Sequence, residues 1–173
     1  MIHHTNELHE ITFGALQSSQ ADFCLRTKQV LANSILKITL SNNIKVNIWA
    51  KYAFITAFSG TTTASRLSID KVAEIDATKE VYSRSLQEMW TLARENGVML
   101  PDDFVQQNLG AISKFPAGST SSMHQDFRKG LPLEVESLQG AAIRLSAKHG
   151  LEVPTVRTLY GLLKPLEGRT NLN

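Results

Sequence analysis

The residues of this chain best suited to chemistry are a lysine, a serine and a glutamate: Lys51, Ser122 and Glu134. Lys51 is the only charged residue of the segment VNIWAKYAFITAFSGTTTAS. A helix that is apolar nearly all round is normally buried. Its lysine therefore either extends its stem to place the ammonium in water, or holds the ammonium in a cleft beside an anion.

Glu134 is the candidate for that anion. In a helix that begins near Leu133, Glu134 shares a face with the apolar Leu138, whereas Glu136 falls on the polar face with Gln139. The helix dipole favours an acid in the first turn, which explains the position of Glu134 along the helix but not its face. Because a carboxylate on an apolar face is costly unless it is paired, we expect it to pair with the lysine of the apolar helix.

Ser122 and Gln125 form the pattern Ser-x-x-Gln, a capping box that explains the serine by itself. The same helix N-terminus, with free amides and a hydroxyl, is also a small anion site that a substrate carboxylate could occupy. A lysine, a glutamate and a serine at a helix start together suit chemistry on a small keto or hydroxy acid.

Alternation and helical periodicity predict which elements hold these residues. Residues 9–14 and 35–40 read as strands on either side of a helix at about 20–33, and two short strands make a poor sheet alone. From Ser41 onward the pattern is helical, with helices at about 44–58 and 79–96 and others that begin near Asp102, Ser122, Leu133 and Pro154. We predict a mainly α protein, with residues 1–40 as a sheet edge and linker and residues 41–173 as a helical domain.

Two joints between predicted helices share one design. Gly97 is followed by Pro101, and Gly150 is followed by Pro154. Each glycine suits the left-handed position that ends a helix, and each proline suits the start of the next. The sequence therefore predicts two helical hairpins.

Composition limits the class of partner. The 173 residues are 42% hydrophobic and carry a formal net charge of +2, which indicates neither a nucleic acid nor an anionic membrane as partner. The lone Cys24 excludes an internal disulfide and fits a reducing compartment. Without a secretion signal or a membrane-spanning run, the sequence predicts a cytoplasmic protein.

The histidines and the large apolar residues have structural interpretations. No histidine stands at a convincing ligand spacing, so we predict no metal. We expect five large side chains to pack in the core: Trp49, Met89, Trp90, Phe104 and Phe115.

The ordered motifs of the chain resemble a known family. The runs SSMHQDFRKGLPLEVESLQG and AAIRLSAKHGLEVPTVRTLYGLLK resemble the C-terminal domain of ketopantoate reductase (2-dehydropantoate 2-reductase), and IWAK is similar to its Trp-x-Lys helix. SLQEMWTLARENGVMLP resembles its central helix, and IHHTNELHEITFGAL resembles its last sheet strands. The resemblance covers nearly the whole chain. It implies a multi-helix bundle like the C-terminal domains of ketopantoate reductase and 6-phosphogluconate dehydrogenase, with a short β segment at the N-terminus.

The resemblance also implies roles for individual residues. Lys51 matches the catalytic lysine, which donates a proton to the substrate oxygen as hydride arrives from NADPH. Glu134 matches the glutamate that interacts with substrate and lysine, and Ser122 matches a serine that binds substrate. The family commonly has asparagines four and eight residues after the lysine, where this chain has Ile55 and Ser59. We take Ser59 as a second substrate-binding residue, and the loss of both amides leaves the exact substrate open.

The family binds NADPH on a nucleotide domain with a Gly-x-Gly-x-x-Gly turn. No Gly-x-Gly occurs in this chain, so NADP is not expected to bind it alone. The resemblance implies the substrate-binding part of an NADPH-dependent 2-keto acid reductase, converting ketopantoate to pantoate in pantothenate biosynthesis and inactive without that domain. The alternative is a non-catalytic helical interaction module derived from the same family.

Apolar surface that a monomer would expose to water predicts that the chain forms an oligomer. Without a nucleotide domain, Ile11, Phe13, Ile38 and Leu40 would face water, and such patches are rarely left open on a monomer. A symmetric homodimer is the expected outcome. The first strand either exchanges between copies or pairs with the chain's own segment at 35–40.

Overall fold

The amino-terminal unit of the chain, Met1–Ile48, contains a strand, a helix and a second strand. The computed structural model describes residues 10–167. Strand β1 (Glu10–Phe13) pairs in parallel with β2 (Lys37–Leu40), and helix α1 (Ala21–Leu31) provides the crossover that parallel strands require. Both predicted strands and the helix between them are confirmed with narrower bounds: Gly14 follows β1, Ile35 and Leu36 precede β2, and His9 lies outside the described residues. Of the two pairings expected for the first strand, the one within its own chain is observed.

Apolar side chains of this unit are only partly covered. Ile11 is 42% exposed, while Phe13, Ile38 and Leu40 are half-buried. More exposed than any of these are side chains that the sequence did not single out: Phe23, Val30 and Ile35, at 66%, 81% and 87%. The exposed apolar surface therefore lies mainly on α1 and the loop after it.

The described residues of the second unit, Trp49–Asn173, form mainly helices, and the first of these helices begins at Ile44 in the preceding unit. This confirms the predicted mainly α fold with a short β segment. No helix among residues 10–167 is both long enough and apolar enough to cross a membrane. The helices are α2 (Ile44–Ser65), α3 (Ile69–Glu74), α4 (Asp76–Glu95), α5 (Phe104–Ile112), α6 (Ser122–Lys129), α7 (Ala141–Lys148) and α8 (Pro154–Leu163).

Helix α4 lies at the centre of this unit and contacts α3, α5, α7 and α8. Its buried face carries Tyr82, Leu86, Met89 and Leu92, each fully buried, at the three- and four-residue spacing of one helical stripe. Large apolar side chains on a central helix exclude water from all four neighbours. Helix α4 therefore contributes a fully buried stripe of large side chains to the core of the second unit.

The two predicted joints have the expected backbone. Gly97 has φ of +74° and Gly150 has φ of +62°, which is the left-handed region that glycine adopts without steric cost. Pro154 is the first residue of α8, where its missing amide hydrogen costs nothing. Helix α4 contacts α5 across the first joint and α7 contacts α8 across the second, but α5 begins three residues after Pro101, so only Pro154 stands at the predicted helix start.

The segment before α7 differs from the prediction of a helix that begins near Leu133. Residues 131–134 have no regular structure, and Glu136–Gly140 form a π-helical turn in which the Gly140 amide donates to the Val135 carbonyl at 2.9 Å. A π turn adds one residue to the helical period, so faces counted with 3.6 residues per turn are misassigned. Gln139, expected on the polar face, is consequently fully buried.

Candidate functional site

A cavity of about 460 Å³ lies between α2 and the segment that leads into α6. It brings together Lys51 and Ser59 of α2 with Ser122 of α6, three of the four residues that the sequence proposes for the site. Residues distant in the chain are therefore adjacent at one concave surface, which is the usual form of a small-molecule site. The remaining lining residues are Phe54, Ile55, Phe58, Phe115, Gly118, Ser119, Thr120, Ser121 and Gln125.

Lys51 is exposed at the edge of this cavity. Its ammonium lies 5.6 Å from the centre of the Phe54 ring, within the range of a cation–π contact. None of the ion pairs among residues 10–167 includes Lys51, so the expected pair with Glu134 is not formed in this structure. The ammonium is therefore available to a ligand.

Ser121, rather than Ser122, caps α6, which corrects the predicted capping box. The Ser121 Oγ accepts the backbone amide of His124 at 3.1 Å and lies 2.9 Å from the Thr62 hydroxyl. Since Thr62 donates its own hydrogen to the Phe58 carbonyl at 2.7 Å, Ser121 is the donor in its bond with Thr62. This chain of hydrogen bonds fixes the N-terminus of α6 against α2.

Because the neighbouring serine provides the cap, the Ser122 hydroxyl does not have that task. Ser122 is the first residue of α6 and is exposed at the cavity. The amides of a first helical turn have no partner within the helix and carry partial positive charge. Ser122 therefore presents a hydroxyl beside a helix N-terminus, as an anion site requires.

Three phenylalanines form an aromatic wall on the other side of the cavity: Phe54, Phe58 and Phe115. The ring centres of Phe54 and Phe58 are 5.1 Å apart, and Phe115 lies 6.4 Å from the first and 5.7 Å from the second. The prediction that Phe115 packs in the core is wrong, because it is 36% exposed. A signal for this was present, since a residue before a proline, here Pro116, is disfavoured in a helix. The preceding helix α5 indeed ends at Ile112.

Glu134 is exposed and is not among the residues that line the cavity. Its neighbours Leu133 and Val135 are buried, at 5% and 0% exposure, so the three residues alternate as an extended segment does. The expectation that Glu134 lies on an apolar helical face is therefore wrong. Its proposed role with substrate and lysine stays a prediction.

Glu136, which the sequence placed on the polar face, has more partners than any other carboxylate among residues 10–167. It accepts from the Tyr160 hydroxyl at 2.7 Å, from Arg144 Nη1 at 2.9 Å and from Lys164 Nζ at 2.7 Å. These contacts, with that of Lys164 the largest and those of Tyr160 and Arg144 next, lower the pKa of Glu136 to about 2. These contacts connect the first residue of the π turn to α7, α8 and the residues after α8.

Dinucleotides and metal ions each require a particular set of residues. The loop after β1 contains one glycine, Gly14, and the chain has no Gly-x-Gly, so its residues do not fit a dinucleotide. Among residues 10–167, no three histidine, cysteine or acidic side chains stand close enough together to hold a metal ion.

Comparison with known proteins identifies the family. The family described as ketopantoate reductase PanE/ApbA C terminal matches residues 43–167, which include Lys51, Ser59, Ser122 and Glu134. The chain belongs to this family. The match covers the whole cavity and the helices that form it.

Relatives known by sequence include oxidoreductases. An uncharacterised oxidoreductase of Bacillus subtilis, YkpB, is 24% identical over 166 residues, which are 96% of this chain and 55% of that protein. A 2-dehydropantoate 2-reductase of Nostoc is 26% identical over 134 residues, 78% of this chain and 42% of that protein. The chain thus spans about half the length of the curated relatives it matches.

Solved structures share the fold. A 2-dehydropantoate 2-reductase from Methylococcus capsulatus has a TM-score of 0.83 at 24% identity, and covers 95% of this chain and 56% of its own. A D-mandelate dehydrogenase, solved with NADH and anilino(oxo)acetate, has a TM-score of 0.80 at 18% identity, and covers 91% of this chain and 66% of its own. These likenesses show the same helical architecture in both proteins.

Proposed function

We propose that this chain is the substrate-binding and proton-donating part of an NADPH-dependent 2-keto acid reductase, with conversion of ketopantoate to pantoate as the reference reaction. The observation that supports it is the meeting of Lys51 and Ser122 at one cavity, in a chain of the ketopantoate reductase family. An ammonium and a helix-start hydroxyl suit the two polar groups of a 2-keto acid, its ketone and its carboxylate.

Reduction of a ketone creates negative charge on the carbonyl oxygen. A reduced nicotinamide bound on another domain would supply the hydride to the carbonyl carbon. The Lys51 ammonium stabilises the developing alkoxide and transfers a proton from Nζ to the oxygen. Hydride and proton together convert the ketone to the hydroxyl, and Lys51 takes a proton from water to begin again.

The other site residues have supporting roles in this proposal. Ser122 and the first amides of α6 bind the substrate carboxylate, because a helix N-terminus favours an anion. Ser59, which is 5% exposed in the cavity wall, offers a hydroxyl to the substrate. Glu134 is assigned by family resemblance to interact with substrate and Lys51, whereas in this structure its carboxylate is exposed and outside the cavity lining.

NADP belongs to this proposal through the family. The D-mandelate dehydrogenase relative was solved with NADH, whereas the present chain lacks a glycine-rich phosphate turn. We therefore expect the chain alone to bind the keto acid but not NADPH. A cytoplasmic location, where 2-keto acids and reduced cofactor are available, stays a prediction.

Ligand titration followed by NMR tests the proposal on the chain itself. Ketopantoate should shift the amide signals of Ser119 to Ser122, and Lys51→Ala should weaken this binding. Lys45→Ala is the matched control, since Lys45 is an exposed lysine of the same helix that does not line the cavity. Shifts that are absent, or equal in both variants, would contradict the assigned role of the cavity.

A second candidate function is a helical dimerisation or interaction module without catalysis. Its support is the exposed apolar surface of the first unit, where Phe23, Val30 and Ile35 are 66%, 81% and 87% exposed. A ketopantoate reductase from Staphylococcus aureus with the same fold is described as dimeric. Light scattering that gives twice the 19.1 kDa chain mass supports a homodimer, and a monomer in Val30→Glu would assign the interface to this surface.

A further inference from the structure

The cavity has two walls of different chemistry. Ser119, Thr120 and Ser122 line one side with hydroxyl groups, while Phe54, Phe58 and Phe115 form the aromatic wall on the side of α2 and the loop after α5. Ile55 adds a branched apolar side chain to that wall. A bound acid would therefore meet polar groups at one end and apolar surface at the other.

Lys51 fixes which part of a ligand meets the aromatic wall. Its ammonium lies 5.6 Å from the centre of the Phe54 ring, so a carbonyl oxygen bound by the ammonium lies next to that ring. The substituent on the reacting carbon then extends either along the wall or toward the hydroxyl groups. Because the hydroxyl side is the one that suits the carboxylate, the substituent is left with the aromatic wall.

We infer that this cavity prefers 2-keto acids with an aromatic or branched apolar side chain over ketopantoate, whose side chain carries a hydroxyl. The inference rests on the proposed function and specifies its substrate class. Edge and face contacts with three rings favour an apolar substituent. A hydroxyl on the same wall loses its bonds to water, and Ile55 provides no replacement for them.

Ser59 is the one feature of the α2 side that favours the hydroxylated acid. Among the α2 residues that line the cavity within the described chain, it alone carries a hydroxyl. It lies eight residues after Lys51 on the same helix, about 12 Å along the axis at 1.5 Å per residue. A short substituent on a carbon held at Lys51 therefore meets Phe54 and Ile55 before it reaches Ser59.

Competitive binding to the chain tests this inference, with phenylpyruvate and ketopantoate as probes. We expect phenylpyruvate to have a Kd lower by about tenfold or more, since an apolar pocket discriminates by about 10- to 200-fold even between side chains that differ by one methylene. Ile55→Asn should reduce this ratio by supplying an amide to the ketopantoate hydroxyl. Ile48→Asn is the matched control, because Ile48 is 51% exposed on the same helix and does not line the cavity.

Phe115→Ala provides a second route if Ile55→Asn fails to fold. Phe115 is already 36% exposed, so its truncation should weaken phenylpyruvate binding with little effect on Tm. Equal or tighter binding of ketopantoate by the unaltered chain would overturn the inference and leave the proposed function standing. Binding of neither acid by a folded chain would overturn both.

Discussion

The cavity between α2 and α6 and the π turn after Glu134 lie in the same helical unit, yet they relate to the sequence in opposite ways. At the cavity, regular helices place Lys51, Ser59 and Ser122 together as the motifs imply. At the π turn, a longer helical period places Gln139 inside, and the extended segment before the turn leaves Glu134 exposed, both contrary to the faces expected of a regular helix. Regular periodicity is readable from sequence, whereas a local change of period is determined by packing.

The packing that selects the π turn involves a glycine of α2. The Gln139 side chain donates to the Thr56 carbonyl at 2.9 Å, next to Gly60. A Cβ at Gly60 would lie 2.9 Å from Gln139 Nε2 and 3.0 Å from Leu159 Cδ1. The absence of a side chain at residue 60 thus makes the room in which Gln139 is buried.

The largest effect is expected at the cavity, from Lys51→Ala. In a form that also carries a nucleotide-binding domain, reduction of a 2-keto acid should slow by about 10²- to 10⁴-fold, the usual cost of losing a general acid. Lys45→Ala in the same helix should leave kcat within about twofold, as expected for a surface residue that contacts no ligand. Steady-state kinetics measures both. A Lys51→Ala variant that keeps most of its rate would remove the lysine from the mechanism.

The next effect concerns the π turn, through Gly60→Ala. The new methyl group would press on Gln139 and Leu159, and overpacking of this kind costs about 1–3 kcal/mol of unfolding free energy. Gly110→Ala is the matched control, because Gly110 also lies within a helix and a Cβ there meets nothing within 4 Å. That variant should gain up to about 1 kcal/mol from helix propensity. Urea unfolding compares the two, and equal stability would refute a tight contact at Gly60.

A smaller effect separates the two serines at the start of α6. Ser121→Ala removes the helix cap and the bond to Thr62, so it should cost about 0.5–2 kcal/mol of unfolding free energy. Ser122→Ala removes an exposed hydroxyl and should leave Tm nearly unchanged while weakening keto acid binding. Thermal unfolding and NMR titration of both variants give the comparison. The assignment fails if Ser122→Ala is the less stable variant.

The sequence predicted the helices and the residues that they carry more accurately than the local geometry of loops and caps. The strands, α1, α4 and the two glycine joints follow from short-range patterns, and the residues of the cavity follow from family motifs. The cap was assigned to Ser122 because only that serine has a glutamine three residues later, Gln125, to complete the pattern Ser-x-x-Gln. Phe115 was assigned to the core because large apolar side chains at helical spacing are usually buried, although the proline after it indicated a helix end.

Glu136 was missed for a different reason. Its partners, Arg144, Tyr160 and Lys164, are spread over α7, α8 and the turn after α8, so no local pattern brings them together. Charged residues on helix surfaces are usually solvated singly. Only the tertiary arrangement distinguishes this carboxylate from the other exposed acids.

The smallest expected effect is the pH dependence that Glu136 gives to stability. Its partners, first of all Lys164, lower its pKa from 4.5 to about 2 in the folded chain, so the unfolded chain takes up the proton first as pH falls. The stabilisation is complete above pH 4.5 and is lost between that value and about 2. Urea midpoints measured from pH 5.5 to 2.5 should therefore fall less steeply in Glu136→Gln than in the unaltered chain. Glu134→Gln, which changes an exposed acid two residues away that has no ion pair within residues 10–167, should keep the slope of the unaltered chain. If the slope changed in Glu134→Gln and not in Glu136→Gln, Glu134 rather than Glu136 would be the carboxylate that makes stability depend on pH.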